Sequence, residues 1–149
     1  MEIKWVDTHC HLQLLNKNLD ENHFKNIEFL VIPGVDVESS SKAKEISSSL
    51  EVESYWSAGL HPHDAKLLDT QRHDLEKLFV EADLIGETGL DFYRNLSTKE
   101  EQRENFLFHL EFSKQLNKPI IIHCRDSFQD TYDLLVEFNN PSSVILHSW

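Results

Sequence analysis

The chain has 149 residues, 26 of them acidic and 14 basic, for a formal net charge of −12. That balance argues against a module that grips nucleic acid through a broad basic face, but it leaves room for a nuclease whose metal neutralises a scissile phosphate locally. The length suits one domain with a true core, spanning 1–149; no apolar run approaches the ~18 residues of a membrane span, and the start of the chain lacks the basic and apolar regions of a signal peptide, so the cytoplasm is the expected compartment.

The first strand is predicted over residues 3–6 and runs into Asp7-Thr8-His9-Cys10-His11. A helical pattern, the faintest of five, follows near 20–26, then a strand over 29–32. Ala43, Ile46 and Leu50 recur at i, i+3, i+7 and predict the second helix, with the serine clusters 39–41 and 47–49 on its polar face. A third strand over 55–58 leads into Gly59-Leu60-His61-Pro62. Leu75, Leu78, Phe79 and Ala82 mark the third helix, and the strand over 84–85 opens Gly86-Glu87-Thr88-Gly89-Leu90-Asp91. The fourth helix, over 99–117, is opened by Ser97-x-x-Glu100, which fits a capping box. A strand over 119–122 reaches His123-Cys124-Arg125, Phe128, Tyr132 and Leu135 mark the fifth helix, and a strand over 144–146 ends in His147-Ser148-Trp149.

Short apolar strands alternating with helices imply an α/β fold with a parallel sheet and right-handed crossovers. Histidines and carboxylates gathered at successive strand ends are the way a TIM-barrel-type (β/α) repeat builds a site, because those ends converge on one mouth. Six strands are counted where a closed barrel has eight strands and roughly 250 residues, so the expectation is an incomplete barrel, the N-terminal about three fifths of such a domain.

Side chains alternate along a strand, so His9 and His11 leave the same face, with Asp7 in the same phase. The same rule pairs His123 with Arg125 and turns Cys10 and Cys124 to the helix-facing side. Neither cysteine is therefore expected to be a ligand, a nucleophile or a disulfide partner. A lone His-x-His is a weak metal signal; Glu87, His123 and His147 at later strand ends strengthen it. Four neutral imidazoles and one carboxylate can hold two ions about 3.5–4 Å apart if the carboxylate bridges, and Glu87 is the acidic residue placed to do so. The ligand types suit Zn or Mn, and Mg where phosphate oxygens complete the sphere.

The motifs Asp7-Thr8-His9-Cys10-His11-Leu12, Gly59-Leu60-His61-Pro62, Ile85 to Tyr93, Gln102-x-x-x-Phe106, Lys118 to Arg125 and His147-Ser148-Trp149, in this order, closely resemble the TatD family of metal-dependent deoxyribonucleases, within the amidohydrolase-like barrels. The resemblance implies a hydrolase that cleaves phosphodiester bonds in DNA, at strand ends or in single strands, with water activated by two metals. It implies that His9 and His11 hold one metal, Glu87 bridges, and His123 and His147 hold the second. His61 resembles a mouth-lining histidine of the family that contacts substrate phosphate. The resemblance also implies an aspartate after a seventh strand, as ligand and proton acceptor, and no residue of this sequence matches it. Two alternatives therefore stand beside the nuclease: a metal-dependent amide or ester hydrolase of the amidohydrolase type, and a non-enzymatic truncated fragment whose first and last strands expose apolar edges.

The remaining residues are read more plainly. Arg125 is expected to contact substrate, since a guanidinium fits a phosphate oxygen pair bidentately. Asp7 and Asp91 are read either as acceptors that orient a ligand histidine or as strand-end caps. His63 is read as a loop residue, and His23, His73 and His109 as surface or packing residues. Trp56, Phe106, Leu110, Phe112 and Leu116 are assigned to the core, and Trp149 is left unassigned.

Overall fold

In the computed structural model, residues 3–15, 20–139 and 143–147 are described; Met1, Glu2, Ser148 and Trp149 lie outside them. Six strands, β1 (Trp5–Asp7), β2 (Ile27–Pro33), β3 (Glu53–Ala58), β4 (Leu84–Asp91), β5 (Ile120–Arg125) and β6 (Val144–Leu146), pair in parallel and in sequence order. Four helices connect them: α1 (Val37–Ser49), α2 (Leu68–Glu81), α3 (Lys99–Leu116) and α4 (Phe128–Glu137). Neighbouring parallel strands joined by helical crossovers make the curled wall of a (β/α) barrel.

The apolar runs of the strands are continuous because both faces are covered. Leu30, Ile32, Ala58, Ile85, Ile120 and Ile122 point outward and pack against Ala43, Leu75, Phe79, Phe106, Leu110 and Leu134 of the helices. Residues of the opposite phase, Val31 and Ile121, point inward and meet Leu84, Phe29 and Ile145. A fully buried side chain such as Phe79 or Ile122 stabilises the fold by about 1.5–3 kcal/mol through burial. Lys118 ties the layers together at the far end of the sheet, its Nζ donating to the carbonyls of Phe79, Val80 and Ala82 where α2 ends.

Four local expectations are adjusted. Among the described residues between β1 and β2, Leu12–Leu14 and Glu21–Phe24 form 3-10 turns, so the helix predicted near 20–26 is a single short turn; few apolar residues there fall at helical spacing. The capping box of α3 is one residue later than predicted: Thr98 Oγ1 accepts from the Glu101 amide at 3.2 Å and Glu101 Oε2 accepts from the Thr98 amide at 2.7 Å. α3 then stops at Leu116, because Asn117 takes the left-handed conformation (φ 52°). Finally, β4 and β5 run through their motifs instead of ending before them, which puts Glu87 and His123 inside paired strands.

β1 and β6 are the outer strands of the sheet and carry exposed apolar side chains, Trp5, Val6 and Leu146. Among the described residues, no helix is long and apolar enough to cross a membrane.

Candidate metal centre

Glu87 occupies the floor of the mouth formed by the carboxyl ends of the strands, with its side chain only 3 % exposed. The β4–β5 register shifts between Ile85 and Thr88, and a shift of this kind re-aims the side chains beside it. Two glycines permit the close approach of β4 to β5. Gly86 (φ 111°) and Gly89 (φ 133°) adopt backbone conformations that side chains rarely take, and a Cβ at Gly89 would collide with the carbonyl of His123.

The two carboxylate oxygens of Glu87 face different histidines. Oε2 lies 3.2 Å from His9 Nε2 and 3.4 Å from His11 Nε2. Oε1 lies 2.6 Å from His147 Nε2, 3.2 Å from His123 Nδ1 and 3.7 Å from His61 Nε2. Burial by itself would raise the Glu87 carboxyl, but the contacts from His11, His123, His147 and His9 hold it well below the usual carboxylate range. The geometry also collects two candidate ligand sets around this residue: His9, Glu87 and His147, and His61, Glu87 and His123. His61 thus stands among possible ligands as well as at the substrate position the sequence suggests. His9 and His11 are 3.1 Å apart through their Nε2 atoms, and the His9 and His147 rings stack at 3.9 Å.

The far sides of the rings are anchored. His11 Nδ1 lies 3.0 Å from the Pro33 carbonyl, which also accepts from Gln13 Nε2 at 2.6 Å. His123 Nε2 lies 3.1 Å from Asp91 Oδ2. A ring nitrogen that donates to a carbonyl or carboxylate leaves the opposite nitrogen as an acceptor aimed at the site, which is the usual support of a metal-ligating histidine. His9 Nδ1 is buried and has no hydrogen-bond partner among the described residues. A buried carboxylate ringed by imidazole nitrogens, with two rings locked from behind, is a donor set suited to divalent cations.

Asp91 makes the contacts that both sequence readings call for. Its Oδ1 accepts from the amides of Tyr93 and Arg94, at 3.0 and 2.9 Å, and caps the strand end. Its Oδ2 faces His123 and, at 2.8 Å, His63 Nε2. Burial pushes its carboxyl up, yet the Arg94 amide, His63 and His123 bring it down to about 2. His63, read as a loop residue, therefore belongs to the site's supporting network; its spacing two residues after His61 was the available signal. Asp7 is exposed and accepts from the His9 amide at 3.1 Å, a strand-end cap.

A buried polar ladder on α3 holds the strand ends in place. Gln102 accepts from the Asp91 amide at 2.8 Å and donates to the Asp91 carbonyl at 3.1 Å. Asn105 donates to the Leu60 carbonyl at 2.7 Å. His109 Nε2 accepts from the Leu60 amide at 3.0 Å, which fixes Nδ1 as the protonated nitrogen donating to the Asn105 carbonyl at 2.7 Å. Burial holds His109 down at about 4, so it is neutral at pH 7. His61, pushed by burial to about 3, is neutral as well. His23 and His73 are exposed.

Arg125 is exposed at the rim, its guanidinium 3.9 Å from the centroid of the Tyr93 ring. Cys10 packs against the core on the helix side, its Sγ donating to the Val31 carbonyl at 3.1 Å, and burial pushes its thiol up to about 12. Cys124 Sγ is 3.5 Å from Ser127 Oγ, and both thiols are free. The mouth itself is a cavity of about 500 Å3 lined by six histidines, His9, His11, His61, His63, His123 and His147, around Glu87.

Residues 6–149 match the family model described as TatD related DNase. The chain is 32 % identical to an uncharacterized metal-dependent hydrolase of Buchnera aphidicola subsp. Baizongia pistaciae, over 97 % of this chain and 58 % of that protein. It is 36 % identical to the 3′-5′ ssDNA/RNA exonuclease TatD of Escherichia coli K12, over 71 % of this chain and 42 % of that protein. In fold it is similar to the crystal structure of a TatD homologue of Escherichia coli K12, YJJV, with a TM-score of 0.88 and 21 % identity over the whole of this chain and 61 % of that one. The chain thus spans between two fifths and two thirds of the length of these relatives.

Proposed function

The chain belongs to the family of TatD-related DNases, and we propose that it is a metal-dependent hydrolase that cleaves phosphodiester bonds in DNA with two divalent ions. The observation that carries this reading is the division of Glu87: one oxygen turned to His9 and His11, the other to His123, His147 and His61. In the favoured assignment, His9 and His11 would hold one ion, His123 and His147 the other, and Glu87 would serve both. Zn, Mn or Mg held there would supply the positive charge that activates a water and steadies both oxygens of an in-line displacement.

The protein's own groups do the rest. Glu87 stays ionised and fixes the spacing of the site. Asp91 and the Pro33 carbonyl keep His123 and His11 in one tautomer, so no reorientation is needed when substrate arrives. Arg125 and neutral His61 contact the phosphate. With a net charge of −12, the chain is suited to a single strand or strand end that reaches the cavity, rather than to gripping a duplex. The name of the Escherichia coli relative, a single-strand exonuclease, supports the same substrate class.

The test is incubation of the chain with an end-labelled single-stranded oligonucleotide, and in parallel with a panel of esters and amides, in Mn2+ or Mg2+. Metal-dependent DNA cleavage that EDTA abolishes is the expected result. Ester or amide turnover without DNA cleavage, or no turnover of any substrate, contradicts the proposal.

A further inference from the structure

We propose that Tyr93 and Arg125 form a stacking subsite for a nucleobase of single-stranded polynucleotide, beside the centre that takes its phosphate. This rests on the phosphodiesterase reading above and names a residue, Tyr93, that the metal chemistry does not use.

The pair has no evident part in the fold. Tyr93 is 60 % exposed, and Arg125 is exposed as well. Among the described residues no carboxylate lies within ion-pair distance of Arg125, although the chain carries 26 acidic residues. Its guanidinium carbon instead lies over the Tyr93 ring, 3.9 Å from the ring centroid. Stacking of this kind restrains the long arginine side chain without consuming its hydrogen-bond donors.

The platform is built in advance. The Tyr93 amide donates to Asp91 Oδ1, and the Phe92 amide donates to the Arg125 carbonyl at 3.0 Å, so the two residues sit on tied, neighbouring strand ends. The other oxygen of Asp91 faces His123, which connects the platform to the centre through one carboxylate. A second cavity of about 300 Å3, lined by His123, Cys124, Arg125 and His147, opens between Arg125 and the ligand histidines. A strand whose phosphate lies at the centre can therefore direct the adjoining nucleotide along this cavity to the rim. There, an aromatic face and a guanidinium plane accept any base, since every base has a π-face.

The experiment measures binding by fluorescence anisotropy of two end-labelled single strands of equal length in Mn2+, one of mixed sequence and one abasic, both with phosphorothioate linkages to resist cleavage. The base-bearing strand is expected to bind about five- to a hundredfold more tightly, from the usual worth of one base stacked on an aromatic side chain. Tyr93→Ala brings this ratio towards one, and Tyr93→Phe preserves it. Equal binding of the two strands by the unaltered chain, undetectable binding of both, or a ratio untouched by Tyr93→Ala overturns the subsite. Cleavage of ordinary phosphodiester strands is scored separately. Cleavage without base discrimination defeats the subsite alone; base discrimination without cleavage of any strand defeats the phosphodiesterase and leaves the subsite standing.

Discussion

His123 Nε2 lies 3.1 Å from Asp91 Oδ2, and this contact turns His123 Nδ1 onto Glu87 at 3.2 Å. One buried carboxylate thus orients the ring that meets the other. Replacing Asp91 with Asn keeps the shape but halves the acceptor capacity that His63 and His123 share. Asp91→Asn is expected to weaken divalent-metal affinity about 10- to 100-fold, measured by calorimetric titration, with the circular dichroism of the native fold retained. Unchanged affinity would remove Asp91 from the metal-supporting network.

Acid stability should depend on His109. Burial holds its folded value near 4 against an ordinary 6.5, so between these pH values the unfolded chain takes up a proton that the folded chain refuses. Its contribution is therefore fully present above about pH 6.5 and is lost as pH falls towards 4, by an amount on the order of 3 kcal/mol. His61, held near 3, acts in the same direction. The difference between the unaltered chain and His109→Gln in urea denaturation, measured at pH 7 and pH 4.5, isolates the His109 share. A difference that does not change between the two pH values contradicts the assignment.

Gly89→Ala tests the close approach of β4 and β5. The residue sits at φ 133°, and an added Cβ runs into the His123 carbonyl. The substitution should cost about 2 kcal/mol or more in denaturant unfolding, where an exposed Gly→Ala change at an ordinary φ is neutral or stabilising.

The cysteines should be dispensable for metal. Cys10 is half-buried with its thiol raised to about 12, so it should react with a thiol-specific reagent at pH 8 far more slowly in the folded chain than in urea. The double replacement of Cys10 and Cys124 by Ala should leave the metal isotherm unchanged. Loss of binding in that variant would make one of them a ligand.

The strand–helix alternation was legible because each buried strand is a short apolar run closed by a turn residue or a histidine. The parity rule turned His9 and His11, and likewise His123 and Arg125, to one face, and Glu87 was reached as the carboxylate at a strand end. The α3 ladder was not legible: Gln102 stood only within the Gln102-x-x-x-Phe106 motif, His109 was read as a surface or packing residue, and nothing singled out Asn105. They share the face of Phe106 and Leu110 at spacings of three and four, and what buries them is the unpaired backbone of strand ends far away in sequence, at Leu60 and Asp91. The same limit hid His63, whose partner Asp91 is brought to it by the fold rather than by local spacing. Sequence alone also put the ends of β4 and β5 too early, because glycines and charged residues usually close a strand; here the glycines let two strands draw together around the site.

The central claim is that Glu87 joins two metal sites, and calorimetric titration of the chain with Mn2+ or Zn2+ tests it most directly. Two ions per chain, with both binding events lost or greatly weakened in Glu87→Gln, are predicted. Saturable binding that Glu87→Gln leaves intact, or no binding by the unaltered chain, would contradict it.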